Sequence, residues 1–341
     1  MEKSRVERSL AGSLTRRVFV KGGLLAAGAV AIGGRARGDE AKKTSPAPIP
    51  RRVLGRTGVE VPILGLGTAP MGHRNRNNPD LPPLIDVFSE AIDRGVTYID
   101  TGRIYGRAEE ALGEVLKTRR EKVFLVTKVW SEEAEDAQKK FSESLKQLKV
   151  DHVDLLHLHS TGDKNIDKVL GPQGSWEFFR KAKKEGRARF VGLSGHSRPA
   201  NFVRMIEETK EIDALLIAMN FVDRHIYGFE EKVLPVARKH NAGVMAMKVF
   251  GGIRGSFPNY GAQTPHPSQM EKELHQDAIR YTLSLEGVTG MVIGVHGAEQ
   301  LRRNIEMVLA AKPLSTEELA ALVEKGKALA PDWRPRFGPV A

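Results

Sequence analysis

Thr97-Tyr98-Ile99-Asp100-Thr101-Gly102-Arg103-Ile104-Tyr105-Gly106 begins as a short apolar strand, TYID, and passes into a glycine-punctuated loop. The residues after Gly106, RAEEALGEVL, have the spacing of a helix, so Asp100 and Tyr105 fall at or just beyond a strand's C-terminal end. In parallel α/β proteins that edge carries the chemistry. Two later apolar strands end in reactive groups as well: VFLVTK closes on Lys128, and VDLLHLHS holds His157 and His159. If the three strands neighbour one another in a barrel, a carboxylate, a phenol, an ammonium and an imidazole converge.

Further outward, strand and helix alternate with little interruption. Strands are predicted near 63–67, 97–100, 123–128, 153–158, 190–194, 214–219, 243–248 and 290–295. Helical patterns fall near 82–94, 108–117, 134–148, 174–186, 199–209, 228–240, 270–286 and 298–310. Eight βα units fit a closed (β/α)8 barrel better than an open doubly wound sheet. VLGRTGVEVP reads as an N-terminal hairpin turning at Arg56-Thr57-Gly58, and Ser315-Thr316-Glu317-Glu318 reads as the capping box of an extra C-terminal helix. The longest irregular piece, Phe250 to Ser268, follows the seventh barrel strand, where long loops shape pockets.

Met1–Ser45 holds ten of the 53 basic residues against four of the 42 acidic ones, which leaves the rest of the chain only +5 of the formal +11. That is mild for its size, and nucleic-acid binding is not inferred from it. The chain has no cysteine, which excludes disulfides, a thiol nucleophile and thiolate-held zinc, and no metal site is expected. A basic head (Lys3, Arg5, Arg8) leads to Thr15-Arg16-Arg17-Val18-Phe19-Val20-Lys21, then to GGLLAAGAVAIGG and Ala36-Arg37-Gly38. The order resembles a bacterial twin-arginine (Tat) signal peptide over 1–38. This implies the Tat machinery as a partner, cleavage before Asp39, no membrane span after processing and a periplasmic protein, or a cytoplasmic one if the leader is unused. Residues 39–50 read as a linker and 51–341 as the barrel domain.

On IDTGRIYG, VTK and DLLHLH, together with LGRTGVEVPILGLGT, residues 51 to 310 resemble the aldo-keto reductase superfamily. The resemblance implies the same eight-stranded barrel and a catalytic tetrad of Asp100, Tyr105, Lys128 and His159. It also implies NADP as cofactor, with NAD as the alternative, and a small-molecule carbonyl or alcohol substrate. Within the family's cofactor segments, GLSGHS puts Ser194 at the first position of a Ser-Asn pair. Gly195 and His196 stand where the asparagine would be, which passes that contact to His196 or Asn220. IGVHGAEQLRRN resembles the family's phosphate-binding segment and carries Gly294, Val295, His296, Gly297 and Asn304. Gly294 and Gln300 occupy positions where many members place basic residues; Arg302 and Arg303 are equally readable as solvated helix charges. Lys248 is a further candidate for cofactor phosphate. Trp130, Met71, Phe250 and Phe221 are candidate walls of the substrate pocket.

The residue types suit the chemistry. A carbonyl accepting hydride develops negative charge on oxygen and needs a proton donor still protonated at neutral pH. A phenol holds its proton too tightly, with a pKa of about 10, unless a cation stands near it. A lysine at ~4 Å and an effective dielectric of ~20 supplies on the order of 4 kcal/mol. Asp100 would keep that lysine charged and aimed, and His159 would orient the carbonyl. Two other readings stay open: a sensor that binds nicotinamide cofactor with little turnover, and a barrel enzyme using Lys128 as a Schiff-base amine.

Overall fold

The computed structural model describes residues 47–75, 77, 80–254 and 268–341. The leader expected at 1–38 and most of the linker lie outside the described residues. The linker's last residues pack: Ile49 is buried, and the Ile63 amide donates to Pro50 O at 2.9 Å.

The hairpin pairs β1 (Arg51–Val53) with β2 (Glu60–Pro62) antiparallel, and the turn is tied by Leu54 N–H to Val59 O at 2.9 Å. Leu54 and Val61 are fully buried and pack with Tyr98, Phe124, Ala214 and Met245. The hairpin thus closes the end of the barrel at which the strands begin.

Eight parallel strands form a closed barrel: β3 (Leu64–Gly67), β4 (Tyr98–Asp100), β5 (Phe124–Val129), β6 (Val153–Leu158), β7 (Ala188–Gly195), β8 (Ala214–Ala218), β9 (Gly243–Met247) and β10 (Val288–Gly294). They follow one another in chain order around the barrel, and β10 closes on β3 with Met291 opposite Leu64. In the register Leu66 faces Ile99, Ile99 faces Leu125 and Lys128 faces His157. Strand side chains alternate, so Tyr98, Val126, Leu155, Leu216 and Val292 fill the interior while Ile99, Leu125 and Leu156 pack outward. The (β/α)8 barrel with N-terminal hairpin and extra C-terminal helix is therefore the observed fold.

The surrounding helices are α1 (Ala69–Arg74), α2 (Pro82–Asp93), α3 (Ala108–Arg119), α4 (Ala134–Leu148), α5 (Ile166–Leu170), α6 (Ser175–Lys184), α7 (Pro199–Thr209), α8 (Phe229–Lys232), α9 (Leu234–Lys239), α10 (His275–Ser284) and α11 (Ala298–Leu309). The helix expected over 228–240 is two pieces, because Pro235 has no N–H to donate into a preceding turn and starts α9 instead. The helix expected from 270 begins at His275, after a 3-10 turn at Lys272–Leu274. Among the described residues no helix is long and apolar enough to cross a membrane.

The extra helix is α12 (Thr316–Trp333), and its capping box forms: Ser315 Oγ accepts from Glu318 N–H at 3.2 Å and Glu318 Oε2 accepts from Ser315 N–H at 2.8 Å. Gly326 lets it lie directly on the loop after β8, since a Cβ there would overlap Phe221 O. At its end Trp333 Nε1–H donates to Asp223 Oδ1 at 3.0 Å. In an unhindered helix interior, glycine to alanine is stabilising by about 0.5–1 kcal/mol. Gly326→Ala should reverse that sign and cost on the order of 1–3 kcal/mol through overpacking. Urea unfolding measures it; an unchanged or raised midpoint would show that α12 does not dock this way.

Candidate functional site

Lys128 lies inside the barrel near the end of β5, 1% exposed, beside Asp100 at 4%. Its Nζ donates to Asp100 Oδ1 and Oδ2, each at 2.7 Å, and to Thr101 O at 2.6 Å. An ammonium has three donors and no acceptor, so these three oxygens consume its hydrogen bonds. Burial pushes the Lys128 ammonium pKa down and the Asp100 carboxyl up, and the attraction between them opposes both shifts. Thr101 is held in turn by the Thr68 hydroxyl, which donates to its Oγ1 at 2.9 Å. Behind β5, on α3, Glu109 Oε1 accepts from the Thr127 hydroxyl at 2.7 Å. The carboxyl of Glu109 is pushed up by burial, and its charge favours a protonated Lys128.

Tyr105 comes from the loop after β4. The Lys128 ammonium sits 4.8 Å from the centroid of its ring, so the cation faces the π-system and not the hydroxyl. Tyr105 Oη lies 3.5 Å from His159 Nε2, with the two rings edge to face at 84°. The His159 backbone amide donates to Val129 O at 2.9 Å, which fixes the histidine against the end of the lysine strand. Burial holds the His159 ring well below the usual histidine range, with the Lys128 charge adding to it, so the imidazole is neutral at pH 7. The four residues expected to converge are brought together.

A cleft of about 380 Å³ opens from Asp100 and Tyr105 towards α11. Lys248, Phe250, Gly294, His296 and Asn304 line it as expected, and so do Gln300 and Arg303. Phe250 stacks on His275 at 3.9 Å, and the loop's described ends, Gly252, Ile253 and Ser268, add to the wall. A Cβ at Gly294 would meet Pro70 at 2.6 Å, so β10 and α1 approach each other closely only through glycine. Gly297 sits just before α11, with open space where a Cβ would be.

Other expected residues stand elsewhere. The Asn220 amide is consumed by its own loop: Oδ1 accepts from the Val222 and Asp223 amides at 2.9 Å, and Nδ2 donates to Asp223 Oδ2 at 2.6 Å and Lys248 O at 2.9 Å. Two donors and two lone pairs are then all engaged, so Asn220 is a loop former and not a cleft contact. His196 donates from Nδ1 to Phe337 O at 3.1 Å and packs on the Phe337 ring, outside the cleft lining. Ser194 is buried, its hydroxyl directed to Leu158 O at 3.4 Å. Val295, Met71 and Phe221 are core residues, Phe221 edge-on to Tyr281, and do not wall the cleft. Trp130 is 49% exposed and likewise stands outside the cleft lining. Arg302 is paired with Glu90 at 2.6 and 2.9 Å, as a surface helix charge would be.

A family model described as the aldo/keto reductase family matches residues 63–277, more than half of the chain and all three strands that carry the site. The chain belongs to the aldo/keto reductase family. It is 27% identical over 309 residues to the uncharacterized oxidoreductase YqkF of Bacillus subtilis (strain 168), covering 80% of this chain and 95% of that protein. It is 24% identical over 314 residues to L-galactose dehydrogenase of Arabidopsis thaliana, covering 82% and 95%. Among solved structures it shares its fold with an aldo-keto reductase from Bacillus halodurans in its holo form, at a TM-score of 0.65 and 22% identity, covering 82% of this chain and 96% of that one. It shares it also with an aldo/keto reductase from Klebsiella pneumoniae in complex with NADP and acetate, at 0.63 and 23%, covering 84% and 98%.

Against the family pattern, two features escaped the sequence. Lys272 lines the cleft from the 3-10 turn before α10, in a polar stretch (EKEL) with no local signal. The chain after α12 is the other. Phe337 and Arg336 amides both donate to the Tyr227 hydroxyl, at 2.7 and 2.9 Å, while the Arg336 guanidinium holds Gly251 O at 2.5 Å and Ile253 O at 3.3 Å. The C-terminal segment thereby straps the described start of the Phe250–Ser268 loop.

His157, His159 and His196 are all depressed by burial, His196 to about 3. A histidine whose folded pKa lies below its unfolded value of about 6.5 leaves stability intact above that pH. As pH falls below it, the unfolded chain binds a proton that the folded chain refuses, at about 1.4 kcal/mol per unit per residue. His157 has no hydrogen-bond partner on either ring nitrogen among the described residues. His157→Leu should therefore flatten the loss of unfolding free energy between pH 6 and 5 by about one proton's worth. Urea midpoints at stepped pH read this, and a slope equal to wild type would refute it.

Proposed function

We propose that the protein is an NAD(P)-dependent oxidoreductase that interconverts an aldehyde or ketone with its alcohol, with Tyr105 as proton donor and NADP as cofactor. The observation that carries this reading is the approach of Tyr105 Oη and His159 Nε2 to 3.5 Å beside a buried, fully hydrogen-bonded Lys128–Asp100 pair. That separation is the outer limit of a hydrogen bond, and a carbonyl oxygen seated beside both groups would be within reach of each.

The cleft fits a dinucleotide. Lys248, Lys272 and Arg303 line it against Glu299 and the Lys128-paired Asp100, and α11 opens at Gly297 without an obstructing side chain, which suits a diphosphate. The Klebsiella pneumoniae structure of the same fold holds NADP, in keeping with this. Gly294, His296, Gln300 and Asn304 would hold the cofactor together with those cations. Bound in reduced form, it would supply hydride to the carbonyl carbon.

The chain's own residues do the rest. His159, kept neutral by burial, donates through Nε2–H to the carbonyl oxygen and aims it at Tyr105. Tyr105 gives its phenolic proton to that oxygen as negative charge develops there. The Lys128 charge over the ring stabilises the phenolate left behind, and Asp100 holds the lysine in that position. The same groups run in reverse for alcohol oxidation. A Schiff-base role for Lys128 would need a neutral amine, whereas three oxygen acceptors surround it. A sensor would have no use for the aligned proton donor.

Tyr105→Phe should lower carbonyl reduction by at least about 10²-fold while cofactor affinity, read by nicotinamide fluorescence, stays near wild type. Near-normal turnover in that variant would remove Tyr105 from its role. The Tat-like leader further supports export to the periplasm. Replacing Arg16 and Arg17 by Lys together should abolish periplasmic accumulation, and an unchanged periplasmic amount would refute export.

A further inference from the structure

On the β5–β6 side of the site, an ammonium stands without a protein acceptor among the described residues. Lys164 follows the 3-10 turn Thr161–Asp163 after β6, and only 9% of it is exposed. Its Nζ lies 4.3 Å from the centroid of the Trp130 ring, and no described residue accepts a hydrogen bond from it. The charged groups around it are Glu132, Asp163 and Lys140. Glu132 Oε1 already accepts from the Asn165 amide at 2.7 Å, and Asp163 Oδ1 from the Ser197 hydroxyl at 2.8 Å. Lys140 is tied to Asp136 at 2.6 Å and to the Trp130 backbone O at 2.9 Å. The Lys164 Nζ is not sealed from solvent, so water completes its hydrogen bonds, and an acceptor on a ligand can replace that water.

The position is near His159. Trp130 comes two residues after Lys128, and Lys164 five after His159, whose ring feels the Lys164 charge. Three large hydrophobic side chains are exposed among the described residues. One, Val53, is in the hairpin at the far end of the barrel; the others are Trp130 and Ile104, the residue before Tyr105. An apolar lip with one cation thus follows β4, β5 and β6, of which only β4 and its loop also line the cofactor cleft.

We propose that Lys164 and Trp130 form an anion subsite of the substrate mouth, so that the preferred carbonyl or alcohol substrate carries a carboxylate remote from its reacting carbon. The indole packs the substrate's apolar body, and the ammonium takes the carboxylate in place of water. Burial lowers the Lys164 pKa to about 8, which leaves the amine mostly protonated at pH 7. This inference rests on the reductase reading above for the reaction itself.

The test compares 4-carboxybenzaldehyde with 4-methylbenzaldehyde on the full-length protein with NADPH. Wild type should favour the carboxylate by at least about tenfold in kcat/KM, mainly through KM. Lys164→Met, which keeps the buried stem, should bring the ratio to about one, and Lys164→Arg should retain most of it. A wild-type ratio near one, or a preference that survives Lys164→Met, overturns the subsite while leaving the reductase reading intact. If neither aldehyde is turned over, the reductase reading fails and binding decides the subsite. Benzoate, but not benzamide, should then quench the fluorescence of the exposed Trp130 saturably in wild type and not in Lys164→Met; equal or absent quenching in both overturns it. The other two tryptophans, Trp176 and Trp333, are buried.

Discussion

A lysine and an aspartate facing each other inside a barrel are the constraint to which the rest of the site answers. Removing two charges from water costs several kcal/mol per ion, and such pairs persist only where geometry is tight and the remaining valences are filled. Here they are filled: two carboxylate oxygens and the Thr101 carbonyl surround Nζ, and the Thr68 hydroxyl steadies Thr101. Breaking either partner would strand a charge in the core. The pair therefore locks the ends of β3, β4 and β5 to one another, although β4 is only three residues long.

From that lock follow the positions of the groups above it. With every Lys128 N–H engaged, the ammonium acts on Tyr105 by its field across the ring and not by a hydrogen bond to the hydroxyl. The same field, with burial, keeps the neighbouring imidazoles uncharged. One buried cation thus faces a phenol ring on one side and disfavours proton gain by two histidines on the other.

How much of this was legible in the chain depends on whether a residue's role was local. Asp100 and Lys128 were readable because strand periodicity and a reactive terminal residue are adjacent in sequence, and in a parallel barrel a strand's end fixes where its side chain goes, whereas only the family resemblance separated His159 from His157 on the same strand face. The fold was readable for the same reason, eight times over. Asn220 misled because a strand-end asparagine signals the edge equally well whether its amide meets a ligand or its own loop, and only the partners Val222, Asp223 and Lys248 distinguish the two. Met71 and Phe221 misled because an apolar side chain near a mouth can turn inward or outward. Residues that meet across long sequence separation left no signal. Arg336 reaching Gly251 and Phe337 covering His196 are contacts of a segment without periodicity.

The strap bears on how the two sides of the mouth are kept apart. Phe337 receives His196 on one face of the segment and lies within 5.4 Å of the Lys248 ammonium, while Arg336 grips the loop that borders the cofactor cleft. The C-terminal segment therefore joins the ends of β7 and β9 across β8, over the part of the rim where Asn220 is already consumed by its loop. Among the described residues that leaves two stretches of rim: β10 and α11, lined by glycine and cations, and β4 to β6, with Ile104, Trp130 and Lys164. Tyr105 and His159 stand between them. A reactant entering beside Trp130 and a cofactor lying along α11 would then meet only at the phenol, which is where a proton and a hydride must be delivered to the same carbonyl.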